Sequence, residues 1–156
     1  MTASNSPILD AETDPAGISP SHDDDMPLKY PSAEQRKTRV IRNKHTGRPV
    51  TEFQYKVYDL IRQIPAGSVA TYRDVSAKLH SSPRAVGQAL KVNPWAPYIP
   101  CHRVLASNYY IGGFFGDWGH GDHINRKLKL LSDEGIHIDA DGFVEAEQRA
   151  SCRHAF

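Results

Sequence analysis

Cys101 stands in the run Pro100-Cys101-His102-Arg103-Val104. A thiol attacks as its thiolate, and a neighbouring cation or base makes the thiolate easier to form. The run therefore holds the parts of a cysteine nucleophile with a base at its side. Neighbours on an extended strand point to opposite faces, so contact between Cys101 and His102 requires a turn or a bridging water. Taken alone, the run reads as a buried cysteine beside a surface His-Arg pair. Cys152 and His154 lie close to the chain end, in what reads as a ragged tail with no catalytic part. Two cysteines are too few for a disulfide framework or a four-cysteine zinc site, so both are expected as free thiols.

The elements that must position Cys101 begin at Thr51, which forms a capping box with Gln54 three residues on. Phe53, Val57, Leu60, Ile61 and Ile64 follow at helical spacing, and Pro65-Ala66-Gly67 ends the helix. Thr71 with Asp74 marks a second N-cap, for a short helix from about Tyr72 to Leu79. Ser82 caps a third helix with Pro83 at its first position, running to about Val92. That helix turns Val86, Ala89 and Leu90 inward and carries Arg84, Gln88 and Lys91 on its other face. Two short helices around a four-residue turn, the second with a basic face, read as a helix-turn-helix.

Asn93-Pro94 stops that helix, and Tyr98 to Leu105 reads as an extended stretch leading to the glycine-rich loop Gly112-Gly113-Phe114-Phe115-Gly116. A fourth helix spans roughly His123 to Glu134, with Ile124, Leu128 and Leu131 inside and Gly135 as its stop. Ile136, Ile138 and Phe143-Val144 around Asp141-Gly142 suggest a small hairpin. The fold class read from these elements is mainly α with a small β component. It is a winged helix-turn-helix-like single domain behind a disordered N-terminal tail. The expected division is 1–50 as an acidic then basic tail, 51–147 as the folded domain and 148–156 as a C-terminal tail.

The net charge of +1 conceals an asymmetry. Residues 1–35 hold seven acids against one lysine, and five of the eleven prolines, without periodicity, which reads as disorder. From residue 36 on, eighteen Lys and Arg face eleven acids, a basic body compatible with a polyanion partner. Six of the thirteen residues Arg36 to Arg48 are basic, which suits a nuclear-import signal, a DNA-backbone arm or a charged linker. No apolar run approaches the ~20 residues of a membrane span. No secretory signal opens the chain, so a soluble intracellular protein is expected.

With Arg84-Ala85-Val86-Gly87 and Asn93-Pro94 at fixed distances before it, Pro100-Cys101-His102-Arg103-Val104 is similar to the signature of the O6-alkylguanine-DNA alkyltransferases. The resemblance runs from Phe53 to Gly135 and takes in Pro65-Ala66-Gly67, Thr71-Tyr72 and Leu130-Leu131-Ser132-Asp133-Glu134-Gly135. It implies the following roles. Cys101 accepts the alkyl group, His102 deprotonates it through a water, and Glu134 orients His102. Tyr72 hydrogen-bonds guanine N3, and Arg84 enters the base stack in place of the flipped nucleotide. Gln88 and Lys91 hold the backbone, and Asn93 is the hinge between recognition helix and active-site strand. The carbonyls of Cys101 and Val104 accept from the guanine amino group, while Phe114 and Phe115 border the base. The partner so implied is double-stranded DNA carrying O6-alkylguanine, bound by a monomer, with no cofactor, metal or membrane. The setting would be the nucleus in a eukaryote and the cytoplasm otherwise.

Three departures from the family's pattern stand out. The first 50 residues are too short and polar for the N-terminal α/β domain, and its zinc, that many members carry. Phe114 and Phe115 replace a Tyr or Arg and a Ser, so side-chain donors to the base are lost, although the Phe115 N–H can still donate to O6. About six extra residues lie in Asp117 to Ile124, where His120, Asp122 and His123 read as a polar loop rather than metal ligands. The competing expectation is a non-catalytic alkyltransferase-like protein, which binds alkylated DNA and flags it for excision repair. An intact Cys101 with His102, Tyr72 and Glu134 speaks against it. A sequence-specific helix-turn-helix regulator is a further alternative.

Overall fold

The computed structural model describes residues 29–156, so most of the acidic, proline-rich stretch lies outside the described residues. The chain divides into two units, Met1–Pro31 and Ser32–Phe156, and every element described belongs to the second.

Structure begins earlier than Thr51. Helix α1, Ala33–Thr38, is closed by a capping box between Ser32 and Gln35, and Arg36 reaches Asp59 of the next helix at 2.8 Å. A turn closed by the Arg42–Pro49 bridge follows. Its Asn43 is buried and donates Nδ2 to the Val92 carbonyl at 2.8 Å. Capping and one buried amide hold this basic stretch in place, signals weaker in the sequence than its lysines and arginines.

Helix α2, Glu52–Ile61, starts on the expected Thr51–Gln54 box and buries Val57, Tyr58, Leu60 and Ile61. Each such apolar side chain contributes roughly 1.5–3 kcal/mol on burial. Strand β1, Ala70–Thr71, leads directly into α3, Tyr72–Lys78, capped by Thr71 with Asp74. Helix α4, Pro83–Lys91, is capped by Ser82 and buries Val86, Ala89 and Leu90 as expected, leaving Arg84, Gln88 and Lys91 exposed. Helices α3 and α4 pack on one another and on α2, completing the helix-turn-helix. The Tyr58 hydroxyl donates to the Ala89 carbonyl at 2.7 Å and ties α2 to the last turn of α4.

The stretch before β2, Val104–Leu105, departs from the extended reading. Cys101–Arg103 form one turn of 3₁₀ helix after Pro100, so Cys101 and His102 are both buried instead of pointing to opposite faces. β2 pairs in parallel with β1, Ala70 opposite Val104 and Thr71 opposite Leu105. This pairing sets the start of α3 beside the cysteine turn.

Strands β3, Gly113–Phe114, and β4, Asp117–Trp118, form a hairpin through Phe115 and Gly116. Both turn residues have positive φ, 48° and 94°, the combination a two-residue hairpin requires. Phe115 holds it at a cost of about 1 kcal/mol, because a side chain crowds the left-handed conformation. Gly113 has no such choice: a Cβ there would lie 2.9 Å from Trp118 Cε3.

Helix α5, Asp122–Asp133, has Gly121 before it, and Asp117 Oδ2 accepts from the His123 N–H at 3.0 Å. Its buried residues are Ile124, Lys127 and Leu131. The inner position assigned to Leu128 thus belongs to Lys127, with Leu128 only half-buried. The hairpin expected after Gly135 appears as a bridge between Ile138 and Val144.

The chain end is not ragged. Helix α6, Ala146–Cys152, buries Cys152, and Arg153 then bridges in parallel to Val69. Val69 donates to the Cys152 carbonyl at 2.8 Å, and His154 donates to that of Val69 at 2.7 Å. Arg153 pairs with Asp74. Unpaired backbone beside β1 is thereby satisfied, which polar composition alone does not reveal. Among the described residues, no helix is long and apolar enough to cross a membrane.

Candidate active site

Cys101 lines a cavity of about 420 Å³ between the face of α4 and the β3–β4 hairpin. Tyr72, Arg84, Gln88, Lys91, Phe114 and Phe115 line it too. Of the candidate residues, His102, Asn93, Val104 and Glu134 lie outside the lining, around the cysteine turn. The thiol is only 2 % exposed. Burial raises its pKa to about 11, against the Asn93 hydrogen bond and the charges of Lys127 and Arg126. At neutral pH the resting group is therefore the protonated thiol.

His102 presents Nε2 to Glu134 Oε2 at 3.0 Å. Burial lowers the His102 pKa, although the Glu134 carboxylate beside it pulls the other way. Arg103 donates Nε to Glu134 Oε1 at 2.9 Å and Nη2 to Oε2 at 2.6 Å. Its remaining Nη1 donates to the Ile64 carbonyl at 2.7 Å. Burial raises the Glu134 pKa, but hydrogen bonds from Arg103 and His102 outweigh it and the net shift is downward. An ionised Glu134 accepts only, so His102 carries its proton on Nε2 and its Nδ1 holds a lone pair. That Nδ1 is buried with no hydrogen-bond partner. A base with its other nitrogen fixed by a carboxylate results.

Asn93 closes the loop ahead of the cysteine. Its Nδ2 donates to the Ile99 carbonyl at 2.8 Å, and its Oδ1 accepts from the Trp95 N–H at 2.9 Å. Tyr72 donates weakly to the Gly113 carbonyl at 3.4 Å, and burial raises its pKa to about 12. It remains a neutral phenol, able to donate. The rings of Phe114 and Phe115 lie 4.5 Å apart at 59°.

Two functional side chains escaped the sequence reading. Arg103 acts as the clamp on Glu134, and its position next to His102 was the one available clue. Lys127 lies three residues after Ile124 and four before Leu131, a charge on an apolar helix face. Its Nζ donates to the carbonyls of Ile111 at 2.7 Å, Val104 at 2.9 Å and Gly113 at 3.0 Å. Burial pushes its pKa down to about 7. Three acceptors match the three protons of an ammonium, which the neutral amine lacks. Lys127 thus joins β2, which follows the cysteine turn, to the β3 hairpin that walls the cavity, and occupies the Val104 carbonyl assigned to the base.

The family model for the DNA binding domain of 6-O-methylguanine DNA methyltransferase matches residues 52–136. A methylated-DNA–protein-cysteine methyltransferase of Methanocaldococcus jannaschii is 52 % identical over 89 residues, 57 % of this chain and 49 % of that protein. One of the same name from Methanothermobacter thermautotrophicus is 39 % identical over 89 residues, 57 % of this chain and 47 % of that protein. The chain spans about half the length of these curated relatives. The crystal structure of S. pombe ATL in complex with DNA aligns with a TM-score of 0.53 at 28 % identity, over 67 % of this chain and 96 % of that one.

Proposed function

Since this chain belongs to the 6-O-methylguanine DNA methyltransferase family through its DNA binding domain, we propose that it repairs O6-alkylguanine in duplex DNA by moving the alkyl group onto Cys101. The observation that carries this is the cysteine turn. A thiol opens into a base-sized cavity, backed by a histidine whose free Nδ1 is buried and whose Nε2 is fixed by a carboxylate.

The damaged base must leave the stack to reach a cavity, at a cost of a few kcal/mol. Arg84, exposed on the first turn of α4 at the cavity rim, enters the gap and offsets part of that cost. Gln88 and Lys91 on the same face hold the backbone. His102 Nδ1 takes the Cys101 proton through a bridging water, and the carboxylate of Glu134, held in place by Arg103, stabilises the imidazolium. Sulfur then bonds to the alkyl carbon as the carbon–O6 bond breaks, and its electron pair leaves with the guanine. Tyr72 donates a hydrogen bond to N3 of the departing guanine anion, which the proton taken from Cys101 neutralises through His102 and water. The product is a thioether on Cys101, and no group in the site offers a way to cleave it, so each molecule acts once, as a monomer.

Intact-protein mass spectrometry after mixing with a duplex containing O6-methylguanine tests this reading. One added methyl group per chain is expected. The second reading is that of an alkyltransferase-like protein, lesion binding without transfer; the S. pombe ATL structure it resembles is a complex with DNA. Tight lesion binding with no added mass would establish that one instead.

A further inference from the structure

Phe115 and Lys91 line a second cavity as well, of about 500 Å³. Lys44 and His45 reach it from the Arg42–Pro49 turn, Lys91 from the end of α4, and His123 and Arg126 from the first turns of α5. All five are exposed, and no carboxylate lines the cavity, although Asp117 Oδ2 lies 3.4 Å from His123 Nδ1 outside it. The Phe115 ring sits between the two imidazoles, 6.2 Å from His45 and 5.9 Å from His123.

The cations Lys44, Lys91 and Arg126 are placed, not scattered. Buried Asn43 holds the turn against the end of α4 through the Val92 carbonyl, and its Oδ1 accepts from the His45 N–H at 2.7 Å. Among the described residues Lys44, Lys91 and Arg126 make no ion pair, whereas Lys37, Lys129 and Arg153 each do. Burial and the Lys44 charge together lower the pKa of His45. Cations gathered from three elements around one cavity repel each other, and an anion relieves that repulsion.

We propose that this cavity is a phosphodiester-binding groove, taking backbone phosphates of the DNA strand next to the nucleotide whose base enters the Cys101 cavity. The inference rests on the function proposed above. Two observations favour a polymer over a single small anion. The cations come from three elements around a cavity of this size, and the cavity shares Phe115 and Lys91 with the base cavity. The turn carrying Lys44 and His45 precedes residue 52, where the family match begins, so this part of the groove belongs to the chain's own N-terminal stretch.

The test is the salt dependence of binding to undamaged duplex by the full chain and by the variant K44A/R126A. Each phosphate contact adds about 0.9 to the slope of log affinity against log salt, so the variant should lose about 1.8. The charge-preserving K44R/R126K should keep the wild-type slope. K56A/K129A removes two exposed lysines that do not line the cavity and should also leave it unchanged. An unchanged slope in K44A/R126A overturns the proposal, as does an equal loss in K56A/K129A, which would report overall charge alone. Weaker binding of inorganic phosphate by K44A/R126A with an intact duplex slope would make the cavity a small-anion site, and also overturns it. Because the probe is undamaged DNA, failure of wild-type protein to transfer an alkyl group overturns the proposed repair function and leaves the slope readable. Melting temperatures equal to wild type exclude misfolding as the cause of a lost slope.

Discussion

Arg103 grips both carboxylate oxygens of Glu134, at 2.9 and 2.6 Å, while the same carboxylate faces His102 Nε2 at 3.0 Å. The two side chains come from a turn and from the end of a helix 31 residues away. A bidentate guanidinium pair fixes the carboxylate plane as well as its charge. His102 thereby receives a fixed orientation and tautomer, and its Nδ1 stays buried without a partner, as the proposed base requires.

Replacing Glu134 with Gln should therefore cost more than one hydrogen bond. Arg103 loses its charged acceptor, and an amide can donate to His102 and reverse the tautomer. Thermal melting should register a loss of about 2 kcal/mol, the scale of hydrogen bonds to charged groups. Transfer to Cys101 should slow by about 100-fold, within the range of general-base contributions. A variant that melts lower yet transfers at the wild-type rate would remove Glu134 and His102 from the chemistry.

Lys127→Met keeps the length of the side chain and removes its three donors. Carbonyls of Val104, Ile111 and Gly113 then lose a buried partner, at a cost of about 3 kcal/mol in all. β2 and the hairpin wall of the cavity should loosen together, so transfer falls as stability falls. Denaturant unfolding of both proteins checks this, and a loss under about 1 kcal/mol would show that the carbonyls find other donors.

The pH profile follows from the lowered pKa of His102. Only the neutral imidazole accepts the thiol proton, and burial keeps it neutral below its ordinary value of 6.5. Transfer from the free base should hold down to pH 6.5 and fall below it. Stability shifts in the same direction. The unfolded histidine binds its proton more readily, so the contribution of this group is full above pH 6.5 and is lost as pH falls toward the lowered pKa. An acid limb centred above pH 7 would contradict the assignment.

Cys101→Ser should end transfer and leave lesion binding in place, because Arg84 and Tyr72 remain to hold an extruded base. Peptide mapping of wild-type protein should put the added mass on Cys101. Buried Cys152 at the end of α6 should stay unmodified.

Arg84→Ala separates a wedge from a plain backbone contact. A backbone contact, once lost, weakens binding to every duplex alike and lowers the salt slope by about one. A wedge predicts that transfer from a paired lesion slows far more than transfer from the free base, which has no stack to leave. Equal slowing on both substrates would rule the wedge out.

Local signals were legible from the residues alone wherever one side chain acts on its own neighbourhood. Thr51–Gln54, Thr71–Asp74 and Ser82–Pro83 mark their helix starts in the structure as they do in the sequence. The inner face of α4 and its exposed Arg84, Gln88 and Lys91 follow from helical spacing in the same way. Cys101, Tyr72 and the Phe114–Phe115 pair were singled out by the resemblance to the alkyltransferases, and they line one cavity. The helix starts and the faces of α4 depend on contacts within a few residues or on a periodicity the chain itself displays.

What needed the tertiary structure involves groups far apart in the chain. Proline before Cys101 does not announce a 3₁₀ turn; that turn follows from Asn93 anchoring Ile99 and from β2 pairing with β1 across some thirty residues. The inward turn of Lys127 depends on three carbonyls from two other segments, without which a lysine belongs in water. Arg103 and Glu134 meet only because α5 ends beside the cysteine turn. Asn43 turns a charged stretch into a placed one through a single carbonyl 49 residues away. Hydrophobic periodicity records which residues avoid water, whereas buried polar groups record which distant atoms must meet. The residues alone therefore determined the helices from Thr51 to Glu134, and only packing decided how the groups around Cys101 are held.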